Sequence, residues 1–204
     1  LVVMTFHTHR GQDFWSFNPR TGKKQFMGTT NGNAHDFCVA NDGIWTASNM
    51  GLHFIRYSDW QVFNYTTSNS TLHDNNLSCI IKLNHQPILY IGSEDGVIKL
   101  NYYASKFYMT DMRRFSNARN GQVWSVAKDT HGTTWVGGAD GLFMRHKDEL
   151  YFNEVELDMD KTRRQKWVLN IFETLDRDGM VATSSHGIYL LDHSGKVKKK
   201  LTPI

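Results

Sequence analysis

Long apolar runs are missing from this chain. Stretches such as "VVM" and "LYIG" fall far short of the ~20 residues that a membrane-spanning helix needs. Cysteine is nearly missing too. Cys38 and Cys79 sit in apolar surroundings without a C-x-x-C spacing, so two buried free thiols are expected and no redox compartment is fixed. Excess charge of one sign is small, since 23 Lys and Arg against 20 Asp and Glu leave a formal +3. The basic residues are scattered except in "GKVKKKL", which argues against the concentrated basic face that nucleic acid requires. Helical patterning is nearly absent, and only "DKTRRQKW" (residues 160–167) has the composition for a turn or two. The chain opens "LVVMTFHTH" with no initiator Met, basic start or cleavage site, so its natural start is expected upstream and its N-terminus does not report localisation.

What is present is a period. The phrases "GIWTASNMGL", "ILYIGSEDGV", "TTWVGGADGL" and "GMVATSSHGI" are four versions of one pattern, with final glycines Gly51, Gly96, Gly141 and Gly187 spaced 45, 45 and 46 residues apart. Six residues before each stands Trp45, Tyr90, Trp135 or Val181, and one after it Leu52, Val97, Leu142 or Ile188. A phosphate-binding loop occurs once, whereas a period of this length belongs to repeat folds and is close to that of a four-stranded propeller blade. Each repeat divides into four short segments rich in Val, Ile, Phe, Tyr and Trp, as in "QVWSVAKD", "TTWVGGAD", "GLFMRHKD" and "LYFNEVEL". Hairpin turns are expected at Gly43, Gly132 and Gly179, where glycine accepts positive φ. The first thirty residues fit the same grid from a second strand onward.

These features imply an all-β fold: a β-propeller segment of four-stranded antiparallel blades, four complete with three strands of a fifth. The pieces are 1–32, 33–75, 76–120, 121–165 and 166–204, expected as part of a larger propeller in a longer polypeptide. The 40% apolar content suffices for one sizeable core.

The copy "VWSVAKDTHGTTWVGGADGLF" resembles the repeat of two-component regulator propellers at Val123, Val126, Asp129, Gly132, Trp135, Val136, Gly137, Gly141 and Leu142. The likeness weakens in the last copy, where Val181, Ala182 and Thr183 replace the Trp-Val-Gly triplet, and at Pro87, near a usual turn glycine. The resemblance implies the periplasmic sensing part of a hybrid two-component sensor of the kind common in polysaccharide-degrading gut bacteria. It further implies partner blades and downstream domains in the same chain, a homodimeric full-length protein that carries a histidine kinase, and a glycan-derived ligand.

Candidate chemistry is sparse. His7 and His9 have i, i+2 spacing, which puts two imidazoles on one strand face, but no third ligand stands near them in sequence, so no metal and no cofactor is expected. Glu94 and Asp95 are adjacent on a turn and point apart, unlike the paired carboxylates of glycoside hydrolysis. The periodic aromatics are expected between blades. A ligand is instead expected where the turns after second strands share an axial face with the inter-blade connections. That face would gather His9, Arg10, Asn49, Met50, Glu94, Asp95, Asp140 and His186 from the turns. The connections would add Arg113, Arg114, Arg119, Arg163 and Arg164, with Trp124 and Trp167 beside them. Arginine forks beside indoles suit an acidic or hydroxyl-rich ligand such as an oligosaccharide. The leading reading is a non-catalytic sensor segment. The alternatives are a propeller polysaccharide lyase or hydrolase, which should gather catalytic groups at the axial ends of several blades, and a protein-interaction scaffold.

Overall fold

A computed structural model describes residues 2–9, 11–84, 86–104, 106–158 and 166–202. Among the described residues are nineteen strands, one single-turn helix and five antiparallel sheets, each a meander in chain order. Blade 1 has three strands, β1 (Val2–Thr8), β2 (Gly11–Phe17) and β3 (Lys24–Thr30). Blade 2 comprises β4 (Ala34–Val39), β5 (Gly43–Ser48), β6 (Gly51–Arg56) and β7 (Val62–Tyr65). Blade 3 comprises β8 (Leu77–Lys82), β9 (Ile88–Ser93), β10 (Gly96–Asn101) and β11 (Lys106–Asp111). Blade 4 comprises β12 (Val123–Lys128), β13 (Thr134–Gly138), β14 (Gly141–Arg145) and β15 (Asn153–Val155). Blade 5 comprises β16 (Val168–Glu173), β17 (Met180–Ser184), β18 (Gly187–Leu191) and β19 (Val197–Leu201).

Successive blades stack through four apolar seams. Phe14 and Met27 of blade 1 meet Ile44 and Ile55 of blade 2, and Trp45 and Phe54 of blade 2 meet Ile80, Ile91 and Leu100 of blade 3. Tyr90 and Val97 of blade 3 meet Val126, Val136 and Phe143 of blade 4. Trp135 and Met144 of blade 4 meet Ile171, Met180 and Tyr189 of blade 5. Strands β5 and β13 are buried at every residue because an apolar layer lies on each side of them. The recurrent aromatic faces the next blade at Trp45, Tyr90 and Trp135. Val181 pairs laterally with Phe172 and Leu190, on the face away from blade 4. Phe172 is 47% exposed and Ile188 40% exposed on that face.

Gly137 follows the same logic. A Cβ on it would lie 2.7 Å from Val168 Cγ1, and one on Gly92 would lie 2.8 Å from Val123 Cγ1, so these glycines admit the first strand of the following blade. The turn glycines Gly51, Gly96, Gly141 and Gly187 adopt φ of 108° to 149°, a conformation costly for any residue with a side chain. Gly132 has φ 86°, as its hairpin requires. Gly43 and Gly179 depart from the expected positive φ. Their constraint is close approach instead, since a Cβ would fall 2.3 Å from the Ile55 carbonyl oxygen and 2.1 Å from that of Leu191.

The connection after β11 contains a single helical turn, α1 (Met112–Phe115), whose N-cap Asp111 accepts from the Arg113 backbone N–H at 2.9 Å. The segment expected to form a turn near 160–167 falls largely outside the described residues. Cys38 and Cys79 are unpaired, and burial pushes both thiols up to about 12, leaving them inert at neutral pH.

Trp135 is fully buried in the seam between blades 4 and 5, so Trp135→Ala is expected to cost ~3–5 kcal/mol in urea unfolding. Val181→Ala, at the matching position on the outward face of blade 5, should cost under ~1.5 kcal/mol in the same measurement.

Candidate functional site

At one end of the sheets the turns after second strands are stitched to the inter-blade connections. The turn chemistry repeats. Thr8, Ser48, Ser93 and Ser184 each donate a hydroxyl hydrogen bond to the carbonyl of the turn glycine three residues on, at 2.9 to 3.2 Å. Blade 4 has Gly138 at this position because a Cβ there would overlap the Gln122 carbonyl oxygen.

From that base the turns reach the connections. Asn49 Oδ1 accepts from the Asn33 backbone N–H at 2.8 Å, and Glu94 Oε1 accepts from Asn76 Nδ2 at 2.6 Å. Asp140 Oδ2 accepts from the backbone N–H groups of Asn120 and Gly121, at 2.7 and 3.2 Å. The Ser185 N–H donates to the Trp167 carbonyl at 3.1 Å. His186 Nδ1 lies 2.9 Å from Ser185 Oγ, while its buried Nε2 has no partner among the described residues. Met50 is 54% exposed, and His9 lies in the exposed turn after β1 instead of on the strand with His7. Arg10, Arg163 and Arg164 lie outside the described residues.

The arginines of the third connection differ in their commitments. Arg113 lies 2.8 Å from Asp95 Oδ1 and donates from Nε to Asp111 Oδ1 at 3.0 Å, so its fork is spent within the chain. Arg114 is 82% exposed and 3.8 Å from Asp111. Arg119 borders a cleft of about 270 Å³ with Asn117, Asp140, Glu154 and Lys166. There Lys166 Nζ donates to Glu154 Oε1 at 2.6 Å and Asn117 Nδ2 donates to Glu154 Oε2 at 2.9 Å. Burial acts to raise the Glu154 carboxyl, but these bonds outweigh it and hold the group below its usual value.

Trp124, on β12, and Trp167, next to β16, form an edge-to-face pair with centroids 5.6 Å apart and rings at 86°. Trp124 borders a second cleft of about 220 Å³ with His35, Asn76, Ser78, Glu94 and Gln122, all at the starts of first strands or in the turns between. The pair is assembled because first strands of consecutive blades lie side by side. An indole beside carboxamides, hydroxyls and a carboxylate can stack on a sugar-like ring while the polar groups bind its hydroxyls.

At the opposite end is a group that the sequence reading missed. Asp129, His131 and His193 offer ligand atoms that all lie within 4.8 Å of one another. His131 and His193 both stand in hairpin turns, but of different strand pairs in neighbouring blades. A one-dimensional reading has no means of pairing positions 131 and 193.

No protein-family model and no curated sequence matches the chain. Solved structures do match. One is the extracellular domain of a protein assigned as a hybrid two-component system in B. thetaiotaomicron, with TM-score 0.78 and 15% identity over 99% of this chain. A second such extracellular domain from the same organism superposes with TM-score 0.70 at 17% identity, also over 99%. A chain of the mitotic checkpoint complex superposes with TM-score 0.71 at 11% identity, covering 98% of this chain and 60% of that one. The likeness is one of fold. This chain spans 26% and 27% of the two extracellular domains' chains.

The Arg113 guanidinium hydrogen bond, working against partial burial, holds the Asp111 carboxyl below its usual value. A depressed carboxylate contributes stability above its unfolded-state pKa, and that contribution fades as pH falls through the folded-state value. Arg113→Ala should therefore let the Asp111 carboxyl rise toward the ordinary carboxylate value, seen by carboxyl NMR. The stability gap between the variant and the parent should be open at neutral pH and close as the pH falls through the lowered folded-state value.

Proposed function

We propose that the chain is an extracytoplasmic sensor segment of a longer signalling polypeptide. It binds a hydroxyl-rich ligand, such as an oligosaccharide, at the end where second-strand turns meet the inter-blade connections, and it does no bond chemistry there. The observation that carries the reading is the Trp124–Trp167 pair, with Trp124 lining a cleft together with His35, Asn76, Ser78, Glu94 and Gln122. Two of the structures with this fold are extracellular domains of proteins assigned as hybrid two-component systems, which supports the sensor role and the location. Against catalysis, the acids at this end are committed. Asp95 is paired with Arg113, Asp140 caps two backbone amides, and Glu94 holds Asn76. Each does structural work that leaves little freedom for general acid or base chemistry.

Specificity in this reading comes from exposed cations and stacked rings. Arg114 and Arg119 are available to donate to a ligand, whereas Arg113 would first have to leave two carboxylates. The test is calorimetric titration of candidate oligosaccharides against the intact protein. Trp124→Ala and Trp167→Ala should each weaken binding about tenfold or more, the loss of one ring stacking of about 1.4 kcal/mol. Arg114→Ala and Arg119→Ala should weaken acidic ligands more than neutral ones. Unchanged affinity in all four variants would remove this end from consideration, and a glycan-cleaving activity lost in Asp140→Asn would replace the sensor reading with an enzymatic one.

A further inference from the structure

The end of the sheets away from the proposed ligand site holds a junction between blades 4 and 5 made of three hairpin turns. The β12–β13 turn carries Asp129 and His131, the β18–β19 turn carries His193, and the β16–β17 turn contributes the carbonyl of Arg177. Each turn is fixed from within or by its neighbour. Thr130 donates its backbone N–H and its hydroxyl to Glu173 Oε1 at 2.9 and 2.6 Å, which ties the first turn to blade 5. Asp192 Oδ1 accepts from the backbone N–H groups of Ser194 and Lys196, at 2.9 and 3.0 Å, which shapes the turn that presents His193.

The buried Asp129 carboxylate is oriented on both oxygens. Oδ1 accepts from the Thr133 N–H at 2.9 Å, and Oδ2 accepts from the Trp135 indole N–H at 2.9 Å. His193 Nε2 stands 3.0 Å from the Arg177 carbonyl oxygen, which can only accept, so the Nε2 proton is assigned by its partner. In that neutral tautomer Nδ1 carries a lone pair directed at Asp129 Oδ2, 3.1 Å away. Two electron-pair donors facing each other at that distance require a cation between them, either a proton or a metal ion. The His131 ring packs against that of His193 with centroids 4.2 Å apart, and it brings a third ligand atom within 4.8 Å of the other two.

We infer that Asp129, His131 and His193 form a binding site for a divalent transition metal of the Zn²⁺ class, stapling blade 4 to blade 5. One carboxylate oxygen and two imidazole nitrogens, with water in the fourth position, make a donor set that Zn²⁺ favours. Around a tetrahedral ion with bonds of about 2.0–2.1 Å, neighbouring ligand atoms lie about 3.3 Å apart. The Asp129–His193 edge already approaches that value. The remaining adjustment falls on His131, which is exposed on its turn. The outer contacts are those of metal sites in general, where a ligating histidine donates its far N–H to a carbonyl and the carboxylate is held by further donors. The nearby carboxylate of Glu173 adds negative charge to the junction.

The site is tested by equilibrium dialysis and calorimetry with Zn²⁺ alone on the intact protein, comparing the parent with His131→Ala and with His131→Ala/His193→Ala. The parent is expected to hold one more equivalent at micromolar free Zn²⁺ than the double variant, and to gain thermal stability with Zn²⁺ that the double variant lacks. His131→Ala replaces an exposed turn side chain, so it should keep the parent's metal-free melting temperature while losing at least tenfold in affinity. Loss of the equivalent, or its weakening tenfold in His131→Ala, supports the site. Equal stoichiometry and affinity in the parent and His131→Ala, or no binding by the parent at 100 μM free Zn²⁺, overturns it.

Discussion

Each sheet in this chain is apolar on both faces and therefore cannot stand alone. Burial of one sheet's aromatic row against the first and second strands of the next is the interaction on which the remaining structure depends. Trp45, Tyr90 and Trp135 project toward the following blade, and the small residues two positions later let that blade's first strand come close. At ~25 cal/mol per Å² of apolar surface, the burial of one such aromatic is worth several kcal/mol, more than any surface ion pair here. The 45-residue period is the imprint of this constraint, because every blade must present the same row at the same height.

The seams fix the strands and leave the turns to local chemistry. At one end a hydroxyl three residues before a positive-φ glycine recurs in four of five blades, and the turns it shapes reach across to the connections. The polar side chains at those turns bind backbone amides or side chains of the neighbouring connection, which ties the ends of adjacent blades together with hydrogen bonds in place of packing. Asp129 shows the same economy at the other end. Its carboxylate satisfies the indole of Trp135, whereas Trp45, which has Ala40 at the equivalent position, leaves its Nε1 without a partner among the described residues. An unsatisfied buried donor costs about 1–3 kcal/mol, so the acid in blade 4 has a structural reason before any functional one.

The blade count, the strand meander and the burial of the periodic aromatics are legible in the sequence, because each follows from a pattern repeated several times. The single helical turn at Met112–Phe115 is not, because its capping by Asp111 is a one-off event with no counterpart among the described residues of the other connections. The glycines divide the same way. The recurring turn glycines are readable as positive-φ residues, while Gly43 and Gly179 answer to carbonyl oxygens of a neighbouring strand that sequence alone does not place beside them. Among the expected ligand-site residues, the gathering of turns and connections at one end follows from strand order. That Arg113 is already occupied by two carboxylates follows only from side-chain geometry.

Fold alone leaves function open, since a chain of the mitotic checkpoint complex superposes as well as the second extracellular domain from B. thetaiotaomicron does. What distinguishes this chain must then lie in residues that break its own period. Strand positions have little room to vary, because each is pressed by sheets on both sides. Turn positions are held only by their own backbone and one neighbour, so non-periodic chemistry accumulates there. Arg114, Arg119 and the Trp124–Trp167 pair gather at one end, and Asp129, His131 and His193 at the other. Both groups span a junction between blades. Anything bound at either one therefore contacts two sheets at once, and its binding energy is coupled to how those sheets sit against each other.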